Sequence, residues 1–449
     1  MKAILLFFIL LLGSFHSAQG FVLPVSKKTK IKFKLLNNLI FIPVNVNGVE
    51  LTFLLDSGVS ETILFSLENK TVNFEKMTKT VFKGLGNNMQ VDGWESTGNT
   101  VKIGDNYIDN HHLIFLILNE EFNFSNHTGI PVNGIIGHDF FKNYPMKINF
   151  QKKEIILFPD QKTFEREASK KYEEHPITLE LKKPYIWLDV QQTNEFVSSK
   201  MLIDIGNSDA VWLFPSLIPN FKYNRPNIED FLGRGFNGDI YGKRSRIHRI
   251  KIGNQVLEKP IIAMPDEYSV QHLKLVPDRK GSIGNETLRR FSVLLNYPEK
   301  KIYFKPNSEI REPFHFNMSG LDIKHNGMVW SPELVHVNTE VQKEGTLNST
   351  SGTTYETRKD MFQYKFVLVP SYVVAGARSD SPSYKAGIRK DDQLVKINGT
   401  SVTKMSLERI NELFKSENGR SILISVERNG KLLNFEFHLE DPIPYDDSE

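Results

Sequence analysis

Two short segments in different halves of the chain share one pattern, an apolar strand that ends on an aspartate and turns through a glycine. They are Leu54–Gly58, with the sequence LLDSG, and Leu202–Gly206, with the sequence LIDIG. Four further landmarks follow each aspartate in the same order, each at the same distance from its aspartate to within one residue. The region is therefore a duplication that supplies one aspartate from each copy.

The repeated landmarks are an aromatic and glycine-rich stretch, an apolar strand that ends in glycine, a Gly–x–Ile–Gly phrase and a closing apolar–Asn–aromatic phrase. In the first copy these four landmarks occupy residues 82–86, 101–104, 134–137 and 148–150. In the second copy they occupy residues 231–235, 250–253, 281–284 and 295–297. Short apolar runs punctuated by Gly, Asn and Pro fill both copies, which is typical of strands. We therefore predict two tandem all-β lobes, residues 28–160 and 175–306, joined by a polar helical connector.

The chemistry of the pair follows from its residue types. If the two turns face each other, the carboxyl groups of Asp56 and Asp204 lie within hydrogen-bond reach, and two like charges at that distance do not both ionise readily. Such a pair shares a proton, so that one carboxylate can take a proton from water while the other carboxyl polarises a peptide carbonyl. The pattern predicts peptide hydrolysis with Asp56 and Asp204 as the catalytic residues.

Asp56-Ser57-Gly58, the strand before it and the later Ile135-Ile136-Gly137 resemble a lobe of a retropepsin-type aspartic protease, and the second copy resembles the same lobe. The tandem is similar to the bilobal, pepsin-like arrangement over residues 28–306. The resemblance implies a cleft for an extended peptide, no cofactor and no metal, supporting turns around the dyad, and flaps that close over the substrate. The supporting turn residues would be Ser57, Gly58 and Gly206, with the Ser57 hydroxyl bonded across to the opposite lobe. The flap candidates would be Gly84, Leu85 and Gly86 in lobe 1, and Gly233 and Gly235 in lobe 2.

The second copy departs from the family pattern, because Ile205 stands where a Thr or Ser is expected. Isoleucine cannot make the cross-lobe hydrogen bond, although Asn207 is a candidate to replace it. This departure leaves an alternative open, a non-catalytic peptide-binding protein with a degenerate cleft. A third possibility pairs each copy with a copy from another chain, whereas the reading of both lobes in one chain predicts a monomer.

The C-terminal part of the chain has a different character. Ser381-Pro382, Ala386-Gly387-Ile388 and Ile397-Asn398-Gly399 resemble a PDZ domain of the type found in bacterial exported proteases, over residues 313–440. The resemblance implies a peptide groove, with Ser319, Gly320 and Leu321 as the candidate loop for a C-terminal carboxylate. Residues 326–365 would be an insertion, and the Asn-, Ser- and Thr-rich stretch 343–357 within it is predicted to be an exposed loop.

The N-terminus and the composition suggest where the protein works. Lys2, an apolar run from Ala3 to Leu12 and the small-residue site before Phe21 predict a secretory signal over residues 1–20, hence a periplasmic or extracellular protein without a stable membrane span. The chain has no cysteine, and its net charge of +3 without long basic runs gives no indication of nucleic acid as a partner. The twelve histidines show no metal-ligand spacing. The predicted partner is a polypeptide substrate or a C-terminal peptide.

Overall fold

The computed structural model describes residues 20–23, 27–83, 90–118, 125–192, 195–218, 221, 224–235, 238–271, 275–344 and 355–445. Those residues are mainly β, which confirms the predicted fold class. The candidate flap residues Gly84, Leu85 and Gly86 and most of the predicted signal segment lie outside the described residues. Among the described residues, no helix combines the length and the apolar character needed to cross a bilayer.

The first copy forms one eight-stranded sheet and contributes to a second. Its strands are β1 (Thr29–Lys32), β2 (Lys34–Leu36), β3 (Leu39–Val46), β4 (Val49–Leu55), β5 (Thr62–Leu64), β6 (Met77–Lys83), β7 (Gln90–Ile103), β8 (Tyr107–Leu116), β9 (Gly134–Ile136), β10 (Met146–Asn149) and β11 (Glu154–Leu157). Its helices are α1 (Ser125–Thr128) and α2 (His138–Phe141), and α3 (Gln161–Ala168) follows as the connector. Strands β2 to β9 make up the lobe 1 sheet, in the order β2-β3-β4-β9-β5-β8-β7-β6.

The second copy repeats this plan. Its strands are β12 (Glu173–Pro176), β13 (Thr178–Glu180), β14 (Lys183–Gln191), β15 (Phe196–Ile203), β16 (Val211–Leu213), β17 (Ile228–Gly235), β18 (Gly238–Arg246), β19 (Arg249–Ile252), β20 (Gln255–Glu258), β21 (Ile261–Pro265), β22 (Arg279–Ile283), β23 (Phe291–Asn296) and β24 (Lys301–Pro306). Its helices are α4 (Glu267–Gln271) and α5 (Asn285–Leu288), with a 3₁₀ turn at Pro215–Leu217. Strands β13 to β22 form the ten-stranded lobe 2 sheet.

A third sheet joins the two copies and explains why one chain can bring both aspartates together. It has the order β1-β11-β10-β23-β24-β12, and the strands that lead into the closing phrases of the two copies, β10 and β23, pair in its centre with Ile148 opposite Val293. One continuous core of buried apolar side chains runs through both lobes and this sheet. Burial of that surface, rather than cross-links, stabilises the lobe pair, because the chain contains no cysteine.

The C-terminal module forms its own sheet and core. Its strands are β25 (Leu321–Glu344), β26 (Tyr355–Ala377), β27 (Gln393–Ile397), β28 (Thr400–Ser401), β29 (Ser421–Arg428) and β30 (Lys431–His438), and its helices are α6 (Pro382–Ala386) and α7 (Leu407–Phe414). Ser406 caps α7 by accepting from the amide of Arg409, and Gly387 ends α6 with the positive φ that glycine tolerates best. A 3₁₀ turn at Val402–Lys404 precedes α7.

The described part of the predicted insertion forms a β-hairpin, whereas residues 345–354, most of the predicted exposed loop, lie outside the described residues. Strands β25 and β26 pair along their length, so the described parts of stretch 343–357 lie on strands. One face of this hairpin carries three successive apolar cross-strand pairs, Trp330–Leu368, Pro332–Phe366 and Leu334–Tyr364. Five of those six side chains, all but Pro332, are large hydrophobic groups that are at least half exposed.

The C-terminal module also contacts the lobes directly. The guanidinium of Arg246 in lobe 2 donates to the carbonyls of Phe314 and Ile443 at 2.9 and 3.0 Å. Ile443 is fully buried in the core of the lobe pair. On lobe 1, the Asn37 carboxamide accepts from Asn411 on α7 at 3.1 Å. The segments that flank the module therefore tie it to lobe 2, and helix α7 within the module ties it to lobe 1.

Candidate active site

The local fold places the two aspartates in equivalent positions. Strand β4 runs parallel to β9, and the amide of Asp56 donates to the carbonyl of Ile136 at 3.0 Å. In lobe 2, β15 runs parallel to β22, and the amide of Asp204 donates to Ile283 at 2.9 Å. Each aspartate thus directly follows the end of a strand, and its amide is hydrogen-bonded to the neighbouring parallel strand from later in the same copy.

Glycine is required where the turns approach each other. A Cβ atom at Gly206 would lie 2.1 Å from Cγ of Asp56, a distance that real contacts do not reach. A Cβ atom at Gly58 would lie 3.0 Å from Oδ1 of Asp204 and 3.1 Å from Oδ1 of Asp56. Both carboxyl groups therefore converge on one small space between the turns, and both aspartates remain half-buried rather than sealed in the core.

The carboxyl groups of Asp56 and Asp204 shift each other's pKa. Burial raises the pKa of Asp56 to about 8, and the negative charge of Asp204 adds to that rise. Burial also raises the pKa of Asp204, against the positive charges of Arg279 and Lys183. A hydrogen bond between the two carboxyls raises the pKa of Asp56 and lowers that of Asp204. Asp56 is therefore the member of the pair that holds its proton at neutral pH.

Ser57 links the two lobes below the dyad. Its hydroxyl donates to the carbonyl of Ile203 at 2.6 Å and accepts from the amide of Ile205 at 2.9 Å. Ile205 carries no hydroxyl and is buried, so the mirror-image bonds toward lobe 1 are not made. Asn207 does not supply them, because its side-chain oxygen accepts from the amide of Asp209 at 2.9 Å. The lobes are thus joined by one hydroxyl bridge where two would be symmetric.

The structure describes the candidate flap residues of lobe 2 but not those of lobe 1. In lobe 2, Gly233 and Gly235 lie on β17, which forms a hairpin with β18 in which Gly235 is opposite Gly238. In lobe 1, strands β6 and β7 pair up to Lys83 opposite Gln90, and the three candidate residues fall between them, outside the described part of the chain. The β17–β18 hairpin is the flap element for which the structure gives a position.

Two cations beside the dyad, Lys183 and Arg279, were not found by sequence reasoning. Their charges act on the aspartates, with both lowering the pKa of Asp204 and Lys183 also lowering that of Asp56. The comparison of the two copies does single them out, because each replaces an apolar residue. Lys183 begins β14, whereas Leu39 begins the equivalent strand β3. Arg279 lies two residues before Gly281, and Val132 lies two residues before the equivalent Gly134. A polar residue at a position that is apolar in the other copy marks a divergence in function rather than in fold.

The histidines contribute to structure. His112 is buried, with ring nitrogens 2.8 Å from Asp109 and 2.8 Å from the hydroxyl of Thr62. His111 is exposed, and its amide donates to Asp109. Among the described residues, no group of three or more His, Asp or Glu side chains is arranged to hold a metal ion.

Family models locate two domains. Residues 42–140, which contain the Asp56 turn and the parallel β4–β9 pair, match the model of the aspartyl proteases. Residues 373–428 match the model of the PDZ domain. The chain carries an aspartyl protease domain and a C-terminal PDZ domain. No curated protein matches the chain.

The aspartyl protease match ends before lobe 2, so the likeness of the second lobe comes from its own geometry. The parallel pair β15–β22, the antiparallel pair β16–β22 and the bond from Asp204 to Ile283 repeat what β4–β9, β5–β9 and Asp56 do in lobe 1. The resemblance seen in the sequence is therefore matched by the fold of both copies.

A PDZ domain implies peptide binding, but its candidate carboxylate loop is largely occupied by internal bonds. The amide of Ser319 donates to the side chain of Asn317 at 3.0 Å, and the amide of Leu321 donates to the hydroxyl of Ser319 at 3.0 Å. Asn317 in turn donates to the carbonyl of Leu321. Of the three candidate residues, only Gly320 keeps an amide that none of these bonds uses. The geometry therefore gives little support to capture of a carboxylate by this loop.

Proposed function

We propose that the protein is an aspartic endopeptidase that hydrolyses peptide bonds with a water molecule activated by Asp56 and Asp204. One observation carries the proposal: the two carboxyl groups lie in equivalent turns and converge around Gly58, where burial raises the pKa of both. Hydrolysis without a covalent intermediate requires one group that acts as an acid and one that acts as a base, and two carboxyls whose surroundings push their pKa values apart can fill these two roles.

In the proposed reaction the ionised Asp204 takes a proton from water, and the water oxygen bonds to the carbonyl carbon of the scissile peptide. Asp56 gives its proton to the carbonyl oxygen, so the intermediate is a neutral diol. Asp204 then passes its proton to the leaving nitrogen, the C–N bond breaks, and Asp56 recovers a proton from one of the diol hydroxyls. The dyad returns to its starting state with no net change in protonation.

The proposal is tested with two substitutions that keep the shape of the side chain. Asp56→Asn and Asp204→Asn should each lower the cleavage of unfolded casein by at least about a thousandfold, because a dyad acts as a unit. Asp105→Asn is the matched control, since Asp105 is an exposed loop residue far along the chain from either turn. Cleavage that survives in both dyad variants would exclude this mechanism.

The rival function, a non-catalytic peptide-binding protein, is favoured by the missing hydroxyl at Ile205. It predicts that wild-type protein binds unfolded casein without cleaving it at any pH from 4 to 8. It also predicts that Asp56→Asn leaves that binding unchanged. Binding without turnover, measured by anisotropy with fluorescent casein alongside gel analysis, would replace the catalytic proposal by this one.

We also propose that the protein is exported and that its PDZ domain positions the substrate. Phe21, the first residue after the predicted signal, is buried in lobe 1, where its ring stacks on Tyr107 at 4.7 Å. A chain shortened by a signal peptidase would keep this contact. Expression of the full chain followed by N-terminal sequencing of the exported protein tests the cleavage site, and a full-length product confined to the cytoplasm would contradict export.

A further inference from the structure

The two lobes present different chemistry beside the dyad. In lobe 2, β14 and β15 pair with Tyr185 opposite Leu202, and continuing that register by two residues places Lys183 opposite Asp204. In lobe 1, β3 and β4 pair with Phe41 opposite Leu54, and the same step places Leu39 opposite Asp56. The residue opposite the aspartate is therefore apolar in lobe 1 and cationic in lobe 2.

A second pair of equivalent positions differs in the same way. Val132 lies two residues before Gly134 and is fully buried in an apolar cluster with Phe41 and Leu54. Arg279 lies two residues before Gly281, and its guanidinium lies 5.1 Å from the ring centre of Phe214 and 5.9 Å from that of Tyr185. Lobe 2 has thus exchanged two apolar groups of lobe 1 for two positive charges.

Within the described residues, these cations have no carboxylate partner at ion-pair distance. Arg279 donates to the carbonyl of Gly281 at 3.1 Å. Among the described residues, the Lys183 ammonium forms no ion pair and is affected by the carboxylates only through space. Glu61 acts on Lys183 only through space, as the dyad does. Both cations are half-buried, so they are reachable from solvent but incompletely hydrated.

The two cations of lobe 2 are not held by a carboxylate at ion-pair distance. The dyad with one proton carries a single negative charge, and Glu61, the other carboxylate that acts on Lys183, does so only through space. A half-buried cation without a carboxylate partner loses part of its hydration, and that loss is recovered when an anion binds. A carboxylate is the anion that a polypeptide offers, and arginine binds it through paired hydrogen bonds while lysine binds it as a point charge.

We propose that Lys183 and Arg279 form a carboxylate-binding subsite on lobe 2, so that the peptidase prefers an acidic group next to the scissile bond on that side. The opposite side, lined by Leu39 and the apolar cluster of lobe 1, takes an apolar side chain. The proposal rests on the proposed peptidase function and specifies its substrate class. The carboxylate comes either from an Asp or Glu side chain or from the C-terminus of the peptide, and the test separates the two.

The first experiment maps cleavage sites in a digest of unfolded proteins by mass spectrometry. Asp or Glu should be enriched at one fixed position beside the cleaved bond, with apolar residues enriched on its other side. Synthetic peptides that differ only by Glu or Gln at that position then give a ratio of kcat/KM, expected to be about tenfold or more in favour of Glu. A third peptide, cleaved one residue from its end, is compared with its C-terminal amide to test a terminal carboxylate.

Variants assign the preference to the two cations. Lys183→Met and Arg279→Met should each bring the Glu/Gln ratio close to 1, while Lys183→Arg and Arg279→Lys should retain a preference because they keep the charge. Lys182→Met is the matched control, since Lys182 is the exposed neighbour in the same turn, and its ratio should equal that of the wild type. A wild-type ratio of 1 for both peptide pairs, or an unchanged ratio in Lys183→Met and Arg279→Met, overturns the subsite.

Failure of the subsite is distinguishable from failure of the proposed function. If no peptide is cleaved, the peptidase proposal fails, and the subsite is still tested by the affinity of wild-type protein for the fluorescent Glu and Gln peptides. Tighter binding of the Glu peptide that is lost in Lys183→Met supports the subsite on its own. Equal affinities reject it.

Discussion

The two lobes share a backbone plan but differ in the side chains that face the dyad. Both keep the parallel strand pair, the aspartate at its end and a glycine two residues later. They differ at Ser57 against Ile205 and at Leu39 against Lys183. The backbone geometry that brings two carboxyls together has been retained in both copies, whereas the groups around them have diverged.

This difference separates what catalysis needs from what substrate choice needs. The shared features fix the aspartates in place, and they are the features that any hydrolysis by a paired dyad requires. The features that occur in one lobe alone affect either the contact between the lobes, through Ser57, or the charge next to the two aspartates, through Lys183. Substitutions at equivalent positions of the two lobes can therefore be compared pair by pair.

The largest difference is expected between the two glycines that follow the aspartates. Gly206→Ala places a methyl group 2.1 Å from Cγ of Asp56, so the turn or the carboxyl must move, and activity should fall by at least about a hundredfold. Gly58→Ala brings the nearest dyad atom to 3.0 Å, which a small shift can relieve, and its loss should be smaller. Casein cleavage and thermal melting of both variants measure this, and a larger loss in Gly58→Ala would contradict the geometry.

The next effect concerns pH. The pKa of Asp56 is about 8 in the folded protein, above the value of about 4 expected in the unfolded chain. Between these values the folded state holds a proton that the unfolded state has lost, so this group's stability contribution is present below pH 4 and is lost as pH rises toward 8. The free energy of unfolding should fall by on the order of 1 kcal/mol per pH unit in that window because of Asp56.

Asp56→Asn isolates this contribution, because asparagine cannot ionise. Urea unfolding at a series of pH values should show a shallower decline for Asp56→Asn than for wild type, with the variant the more stable at pH 7. Parallel curves for the two proteins would mean that the pKa of Asp56 is not raised. The activity of the wild type should decline toward alkaline pH as Asp56 loses its proton, and toward acidic pH as Asp204 gains one.

Much of the lobe pair could be predicted from sequence because duplication supplies its own comparison. Repeated landmarks led to Asp56 and Asp204 and to the all-β class of each copy, since each landmark marks the same strand end or turn twice. The sequence shows that Lys183 and Arg279 replace apolar residues of the first copy, but not that their charges lie beside the dyad. Which face of a strand a side chain occupies depends on cross-strand register, and a slip of one residue reverses it.

The C-terminal module illustrates a different limit. The Asn, Ser and Thr content of stretch 343–357 predicts a loop; its two ends, 343–344 and 355–357, pair as strands, and residues 345–354 lie outside the described residues. The alternation of β-branched residues before the stretch, at Val335, Val337, Thr339 and Val341, is the signal that favours a strand there. The internal bonds of the Ser319 loop could not be predicted either, since they depend on the placement of Asn317.

The smallest effect we predict concerns the single hydroxyl bridge between the lobes. Ser57→Ala removes the acceptor of the Ile205 amide and the donor to the Ile203 carbonyl, and should lower the free energy of unfolding by about 1–3 kcal/mol. Ile205→Thr offers lobe 1 the mirror-image hydroxyl in a buried site, and it also removes apolar volume because threonine is smaller than isoleucine. It should recover part of the loss when combined with Ser57→Ala, as measured by urea unfolding of the single and double variants. If the two changes are simply additive and both destabilising, the absence of a second hydroxyl bond between the lobes does not weaken their contact, and the presence of Ile205 reflects packing alone.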